Sequence, residues 1–195
     1  MIVFLARHGE SVLNQEGRVN GDPSVPVPLT EHGRDEARLL GAQLANVELD
    51  LCVHTRFDRT RETVELALEN RKVRVEVEAG LDDIKIGELD GEPLARYREV
   101  KHALGRKRPF PGGESLDAAA LRYADAFERL AGGGAERVLV VCHEIPVRYA
   151  LNAAAGSDQL DGPPVHEVAN ATPYAFDGRL LARAAARIRE LAARG

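Results

Sequence analysis

Two continuous apolar runs, residues 2–6 and 138–142, constrain the fold more than any other feature of this sequence. Both are too short for a typical helix, and neither alternates with polar residues. Such runs are typical of β-strands that are buried on both faces of a sheet. Residues 49–53 form a third candidate strand, and the valines in 73–77 alternate as in a fourth.

Segments with helical periodicity separate these strands. They begin after Thr30, which is a suitable N-cap, and then cover residues 57–70, 92–104, 116–130 and 145–155. Strands that alternate with helices predict an α/β fold, here a three-layer sandwich with a mostly parallel central sheet covered by helices on both faces. We expect one domain over residues 1–195.

The remaining segments are less regular. Residues 20–28 and 105–115 have the glycine and proline content of loops, and residues 80–92 form an acidic segment with no clear period. Residues 174–176 are expected to form a strand that ends in a turn at Asp177-Gly178. The arginine- and alanine-rich tail after this turn is compatible with either a strand or a helix.

Composition narrows the function classes. A net charge of -5 gives no general attraction to nucleic acid or to an anionic membrane. The chain begins with no signal-peptide pattern, and no apolar run approaches the ~20 residues of a membrane span, so we expect a cytoplasmic protein.

Cys52 and Cys142 lie in apolar runs without metal-site spacing and are expected to be buried free thiols. The oligomeric state is left open, with a homodimer as one option.

Histidines follow both of the most apolar strands. His8 and His143 come directly after residues 2–6 and 138–142, with Arg7 beside His8 and Arg59 at the start of the helix after a third strand. Ligand sites in open α/β sheets lie at the carboxyl ends of the strands, so these side chains are expected to share one crevice. Two arginines with two histidines predict an anion site, because the guanidinium group matches phosphate oxygens.

The same cluster predicts a nucleophile. Neighbouring guanidinium groups lower the pKa of an imidazole, which keeps His8 neutral and able to attack phosphorus. Fixed cations around the transferred group supply much of the catalysis, so no metal ion or other cofactor is expected. The proton donor for the leaving alcohol is expected among Asp82, Asp83 and Glu88. The other histidines lack metal-site spacing and are expected to be structural or exposed: His32, His54, His102 and His166.

The Arg7-His8-Gly9-Glu10 tetrapeptide resembles the signature of the histidine phosphatase superfamily, also called the phosphoglycerate mutase-like family. Further ordered matches follow: Asn14, Gly17-Arg18, Gly21, Leu29-Thr30, Gly33, residues 59–63, 81–91 and 111–115, and Val141-Cys142-His143. The resemblance implies that His8 is the phosphorylated nucleophile and that Arg7, Arg59 and His143 form the phosphate pocket. It also implies that Asn14 is a further phosphate contact.

Three departures from the family pattern affect these expectations. Asp83 stands where the family commonly has glutamate as proton donor, so the carboxylate is one methylene shorter. Glu144 replaces the glycine that usually follows the second histidine, which places a negative charge near the pocket mouth. Residues 54–56, His-Thr-Arg, replace a common Ser-Ser-Pro, so another basic side chain is expected to approach the site.

Three functions fit this site. The leading expectation is a metal-independent phosphatase that acts on a small phosphomonoester. The second is a phosphoglycerate mutase, which must shield its intermediate from water and usually has a longer covering segment than residues 92–115 provide. The third is a noncatalytic module that binds a phosphorylated ligand.

Overall fold

The computed structural model describes residues 1–162 and 168–194. Its five strands form one sheet in the order β3-β2-β4-β1-β5. Four strands are parallel, and β5 pairs antiparallel with β1. The strands are β1 (Ile2–Arg7), β2 (Leu51–His54), β3 (Arg74–Val77), β4 (Arg137–Cys142) and β5 (Tyr174–Asp177).

Helices cover both faces of this sheet. The helices are α1 (Val12–Gln15), α2 (Glu31–Gln43), α3 (Asp58–Ala67), α4 (Leu94–Leu104), α5 (Leu116–Ala131), α6 (Glu144–Ala154) and α7 (Gly178–Arg194), of which α1 and α4 have no buried residue. One apolar cluster joins the sheet to α5, α6 and α7, and a second joins its opposite face to α2 and α3. The predicted α/β sandwich is therefore confirmed.

The buried strands occupy the centre of the sheet. Each residue of β1 has a partner in β4, from Ile2 opposite Arg137 to Arg7 opposite Cys142. Burial of both strands between two helical layers explains their continuous apolar sequence. Both cysteines are buried free thiols, as predicted.

The tail forms a strand and a long helix, and the expected turn at Asp177-Gly178 is wrong. Helix α7 begins directly after β5, where the Asp177 carboxylate accepts a hydrogen bond from the Leu180 backbone N–H at 2.7 Å. An aspartate that satisfies a free N–H group favours helix initiation at this point. The buried residues of α7 recur at helical spacing: Leu181, Ala184, Ala185, Ile188, Leu191 and Ala192.

A close backbone approach fixes the turn after β1. A Cβ atom on Gly9 would lie 2.3 Å from the backbone oxygen of Gly33, at the start of α2. The Gly9 N–H also donates to Thr63 Oγ1 of α3 at 3.1 Å. Both glycines are therefore needed where the chain leaves β1, because a side chain on either would prevent the close approach. The turn that follows His8 is thereby fixed against α2 and α3.

Candidate active site

Two histidines meet at the carboxyl edge of the sheet. Because β1 and β4 are parallel neighbours, His8 and His143 follow them side by side, and the His8 N–H donates to the Cys142 carbonyl at 3.0 Å. The ring centroids are 5.5 Å apart with an interplanar angle of 67°. The two imidazoles therefore lie side by side at one edge of the sheet, and of the two only His8 reaches the cavity wall.

Arg59 connects the two rings. It lies in the first turn of α3, where β2 has ended, and its side chain is only 4% exposed. Its Nε donates to His8 Nε2 at 3.1 Å, and its Nη2 donates to His143 Nδ1 at 3.2 Å. An arginine and a glutamate three positions apart on a helix can form an exposed ion pair, and the spacing of Arg59 and Glu62 allows one. Here Arg59 is buried and Glu62 accepts from Arg34 Nε at 2.7 Å, so they do not form such a pair.

The His8 ring has one consistent protonation pattern. Its Nδ1 lies 2.7 Å from the carbonyl oxygen of Gly9, which can only accept, so Nδ1 carries the proton. Nε2 is then left with a lone pair toward Arg59. Burial lowers the pKa of His8 well below its usual value, and the charges of Arg59 and Arg7 lower it further. The imidazole is therefore neutral with Nε2 as its basic atom.

His143 is held in the complementary tautomer. Its Nδ1 accepts from Arg59, so Nε2 carries the proton and donates to Thr55 Oγ1 at 2.9 Å. The Thr55 hydroxyl lies 2.9 Å from Thr60 Oγ1, which donates to the Phe57 carbonyl at 2.8 Å. Burial, followed by the charge of Arg59, lowers the pKa of His143 well below its usual value.

Asp83 is the carboxylate that faces this cluster. Its Oδ2 lies 3.1 Å from Arg59 Nη2 and 3.4 Å from His143 Nδ1. Burial raises the pKa of Asp83, although the Arg59 charge acts in the opposite direction. A carboxyl group with a raised pKa beside an anion site is suited to proton donation.

The two competing acids lie elsewhere. Asp82 is buried, and its carboxylate accepts from Arg56 Nε at 2.6 Å and from the Arg56 backbone N–H at 3.0 Å. Glu88 is exposed and does not line the pocket. Only Asp83, of the three expected acids, lies in the pocket wall.

The expected additional basic side chain does not line the pocket. The Arg56 side chain forms an ion pair with Asp82, and Nδ1 of His54 lies 2.6 Å from the Thr55 carbonyl oxygen. Neither side chain belongs to the pocket wall. His32 and His102 are exposed, and His166 lies outside the described residues.

A clamp from α5 holds the irregular segment that carries Asp83. Arg122 Nη1 donates to the carbonyl oxygens of Gly80 and Asp82 at 3.0 and 2.9 Å, and Nη2 donates to the Asp83 carbonyl at 3.3 Å. Glu114 pairs with Arg122 at 2.5 Å and accepts from the Lys85 backbone N–H, two residues after Asp83, at 3.0 Å. Glu114 lies in residues 111–115, one of the segments that match the family pattern, and through these two contacts it positions the acid segment.

The remaining predicted residues lie at the pocket wall. Arg7 lines the pocket and forms an ion pair with Glu144 at 3.4 Å. Asn14 is exposed at the wall, and its Oδ1 accepts from the Ser11 backbone N–H at 3.2 Å. The Asn14 side chain can therefore offer its Nδ2 group to a ligand.

Two asparagines were missed in the sequence. Asn20 Oδ1 accepts from Arg59 Nη1 at 2.7 Å, and Asn170 Nδ2 donates to the His8 carbonyl at 2.8 Å. Both lie in segments without regular periodicity, where an asparagine is indistinguishable from an ordinary loop residue. They orient the arginine and the backbone of the histidine that form the centre of the site.

The site opens into a cavity of about 240 Å³. Within residues 1–162 and 168–194, no group of three or more His, Cys, Asp and Glu side chains is arranged to hold a metal ion. No helix in that part of the chain is both long and apolar enough to cross a membrane. The fold and the site thus define an α/β protein with a histidine-centred anion pocket.

Comparison with known proteins identifies the family. Residues 3–178 match the model of the histidine phosphatase superfamily, branch 1. The chain therefore belongs to this superfamily, which confirms the resemblance seen in the sequence.

The names of the individual relatives state different activities. The chain is 33% identical to 2,3-bisphosphoglycerate-dependent phosphoglycerate mutase 2 of Gloeobacter violaceus, over 90% of this chain and 85% of that protein. It is 30% identical to 6-phosphofructo-2-kinase/fructose-2,6-bisphosphatase 4 of Rattus norvegicus, over 89% of this chain but only 38% of that protein. The fold is similar to that of alpha-ribazole phosphatase from Shigella flexneri, with a TM-score of 0.79, 23% identity, and coverage of 91% and 90% of the two chains.

Proposed function

We propose that this chain is a phosphatase that hydrolyses a small phosphomonoester through a phosphohistidine on His8, without a metal ion in the mechanism. The observation that carries the proposal is the orientation of His8. Its Nδ1 proton is directed to the Gly9 carbonyl, so the Nε2 lone pair is directed to Arg59 in the cluster. A neutral, oriented imidazole in a cationic pocket is an activated nucleophile for phosphorus.

In the first step, the His8 Nε2 lone pair forms a bond to phosphorus while the bond from phosphorus to the alcohol oxygen breaks. A phosphate oxygen takes over the hydrogen bond from Arg59, which releases Nε2 for attack. Arg7, Arg59 and Asn14 bind the phosphate oxygens and stabilise the charge of the transition state. His143 joins them when its proton moves to Nδ1, with the Thr55 hydroxyl then donating to Nε2. The Asp83 carboxyl group donates its proton to the departing alcohol oxygen.

In the second step, water attacks the phosphorus of phospho-His8. The bond from phosphorus to Nε2 breaks and restores the neutral imidazole, while the Asp83 carboxylate accepts the proton from the water. The same group thus acts as acid and then as base, and each turnover ends with the protonation states in which it began.

The relatives support this assignment at the level of phosphoryl chemistry. Some are named as phosphatases and one as a mutase, so the fate of the phosphoryl group distinguishes the candidates. The covering segment, residues 92–115, is short, and within it only Leu94 and Tyr97 of α4 line the cavity, which favours access of water to the intermediate.

The test is hydrolysis of p-nitrophenyl phosphate by purified protein in excess chelator. We expect turnover that the chelator does not change, and a mass increase of one phosphoryl group on the peptide that contains His8 after rapid quenching. Loss of activity in chelator contradicts the metal-free mechanism. Isomerisation of phosphoglycerate faster than release of inorganic phosphate identifies a mutase, and phosphate binding without turnover identifies a binding module.

A further inference from the structure

The pocket wall contains an anion that the proposed reaction does not use. Glu144 follows His143 directly and is the first residue of α6. Its carboxylate is 38% exposed, lies 3.4 Å from Arg7 Nη1, and also pairs with Arg148 one turn along the helix. Glu144 therefore places a negative charge between a phosphate-binding arginine and the opening of the cavity.

Phosphate binding leaves this charge in place. When Arg7 turns to a phosphate oxygen, Arg148 still holds the carboxylate of Glu144 at the rim, because that pair is independent of Arg7. Its field reaches across the pocket: burial raises the pKa of Asp83, and the charge of Glu144 acts in the same direction. A second anionic group on the substrate would meet this field in a partly desolvated site, where like charges repel strongly.

The rest of the cavity wall is mainly apolar. Tyr97 of α4 lines it with its ring stacked on Phe110, with centroids 5.5 Å apart. Arg18 is the lining cation outside the phosphate cluster, and it is exposed. Apolar side chains from several elements complete the wall, among them Leu13, Ile86, Leu94 and Ile145.

We propose that Glu144 is a specificity-determining residue that restricts the substrate to phosphomonoesters whose alcohol is apolar and carries no second anionic group. This inference rests on the proposed phosphatase function. The apolar wall binds the body of the alcohol, and the carboxylate rejects esters that bear an additional carboxylate or phosphate. Discrimination by a repulsive group of this kind is a common way to obtain specificity.

The test compares phenyl phosphate with 4-carboxyphenyl phosphate. The readout is the ratio of kcat/KM for the carboxylated ester to that for the neutral ester, which cancels any general effect on phosphate binding. We expect wild type to prefer the neutral ester and Glu144→Gln to raise this ratio by about tenfold, as removal of a nearby like charge predicts. Added salt should raise the wild-type ratio by screening the repulsion.

Glu128→Gln is the matched control. It makes the same charge change near the carboxyl end of α5, where the chain approaches the start of β4 and thus the opposite edge of the sheet. We expect it to leave the ratio at the wild-type value. An unchanged ratio in Glu144→Gln, or a wild-type preference for the carboxylated ester, overturns the proposal.

Binding separates this proposal from the phosphatase assignment. If neither ester is hydrolysed, the proposed function fails, and the dissociation constants of the two esters, measured by calorimetry, give the same ratio without turnover. A ratio that shifts about tenfold toward the carboxylated ester in Glu144→Gln supports the role of Glu144, because electrostatic exclusion acts on binding itself. An unchanged binding ratio contradicts it.

Discussion

The two walls of the pocket are built in different ways. On one side, His8 and Arg59 line the cavity, and His143 contacts both of them without reaching it. All three residues come directly after a strand or in the helix that follows one, and they are 3%, 4% and 0% exposed. On the other wall, Asp83 lies in a segment of irregular backbone and short 3-10 turns, and its side chain is 25% exposed. The nucleophile side is positioned by the register of the sheet, whereas the acid side is positioned by side-chain hydrogen bonds from α5.

This difference predicts a different sensitivity to mutation. A strand-end residue keeps its position as long as the sheet is folded, so its substitution tests its chemistry. A residue held by a side-chain clamp loses its position when the clamp is removed, so the clamp itself contributes to the rate.

The largest effect is expected for His8→Ala. Loss of the nucleophile should reduce kcat by at least about 10⁴-fold and abolish phosphoenzyme formation, because no other group takes its place at phosphorus. Rapid-quench mass measurement and circular dichroism check these outcomes, and the fold should be retained because the backbone bond from His8 to Cys142 remains. His32→Ala on the exposed face of α2 is the control. A His8→Ala enzyme within tenfold of wild type would exclude covalent catalysis by this residue.

A smaller effect is expected for Asp83→Asn, and it should depend on the leaving group. Alkyl phosphates need a proton on the departing oxygen, so kcat/KM for these esters should fall about 10²-fold, while that for p-nitrophenyl phosphate should change little. Glu88→Gln, in the same segment but exposed, is the matched control. Equal losses for both classes of ester contradict the assignment of Asp83 as the acid.

The pH profile gives a second measure of both walls. Burial and the two arginines lower the pKa of His8, so the nucleophile stays neutral and active below the usual histidine range. Burial raises the pKa of Asp83, so the acid stays protonated to higher pH than an ordinary aspartate. For an alkyl phosphate, kcat/KM should therefore fall as pH rises through the pKa of Asp83, and Asp83→Asn should remove this limb.

The contrast between the walls also explains how much the sequence revealed. His8 and His143 were predictable because each follows a short apolar run, and parallel strands bring their carboxyl ends to one edge. Asp83 was favoured as the acid through its place in the family motif alone, because nothing in the neighbouring residues distinguishes it from Asp82. That choice depends on the pairing of Asp82 with Arg56, which is a tertiary contact.

The residues that were missed are those that act through distant contacts. Asn170 binds the His8 carbonyl from 162 positions along the chain, and a single asparagine in a loop carries no periodic signal. The tail was ambiguous for a different reason. Alanine occupies many of the buried positions of α7, and its weak hydrophobicity obscured the helical spacing that the structure shows.

The smallest effect is expected for Arg122→Gln, which removes the clamp without touching the substrate. Asp83 should be less well placed, so kcat/KM for alkyl phosphates should fall about fivefold while that for p-nitrophenyl phosphate stays near wild type. Arg129→Gln is the matched control, because Arg129 lies on the same helix, is 57% exposed and pairs with Glu78. A double mutant with Asp83→Asn should lose no more activity than Asp83→Asn alone, since the clamp acts only through that carboxyl group. Additive losses would show that Arg122 affects the rate by another route, and the acid wall would then not depend on this clamp.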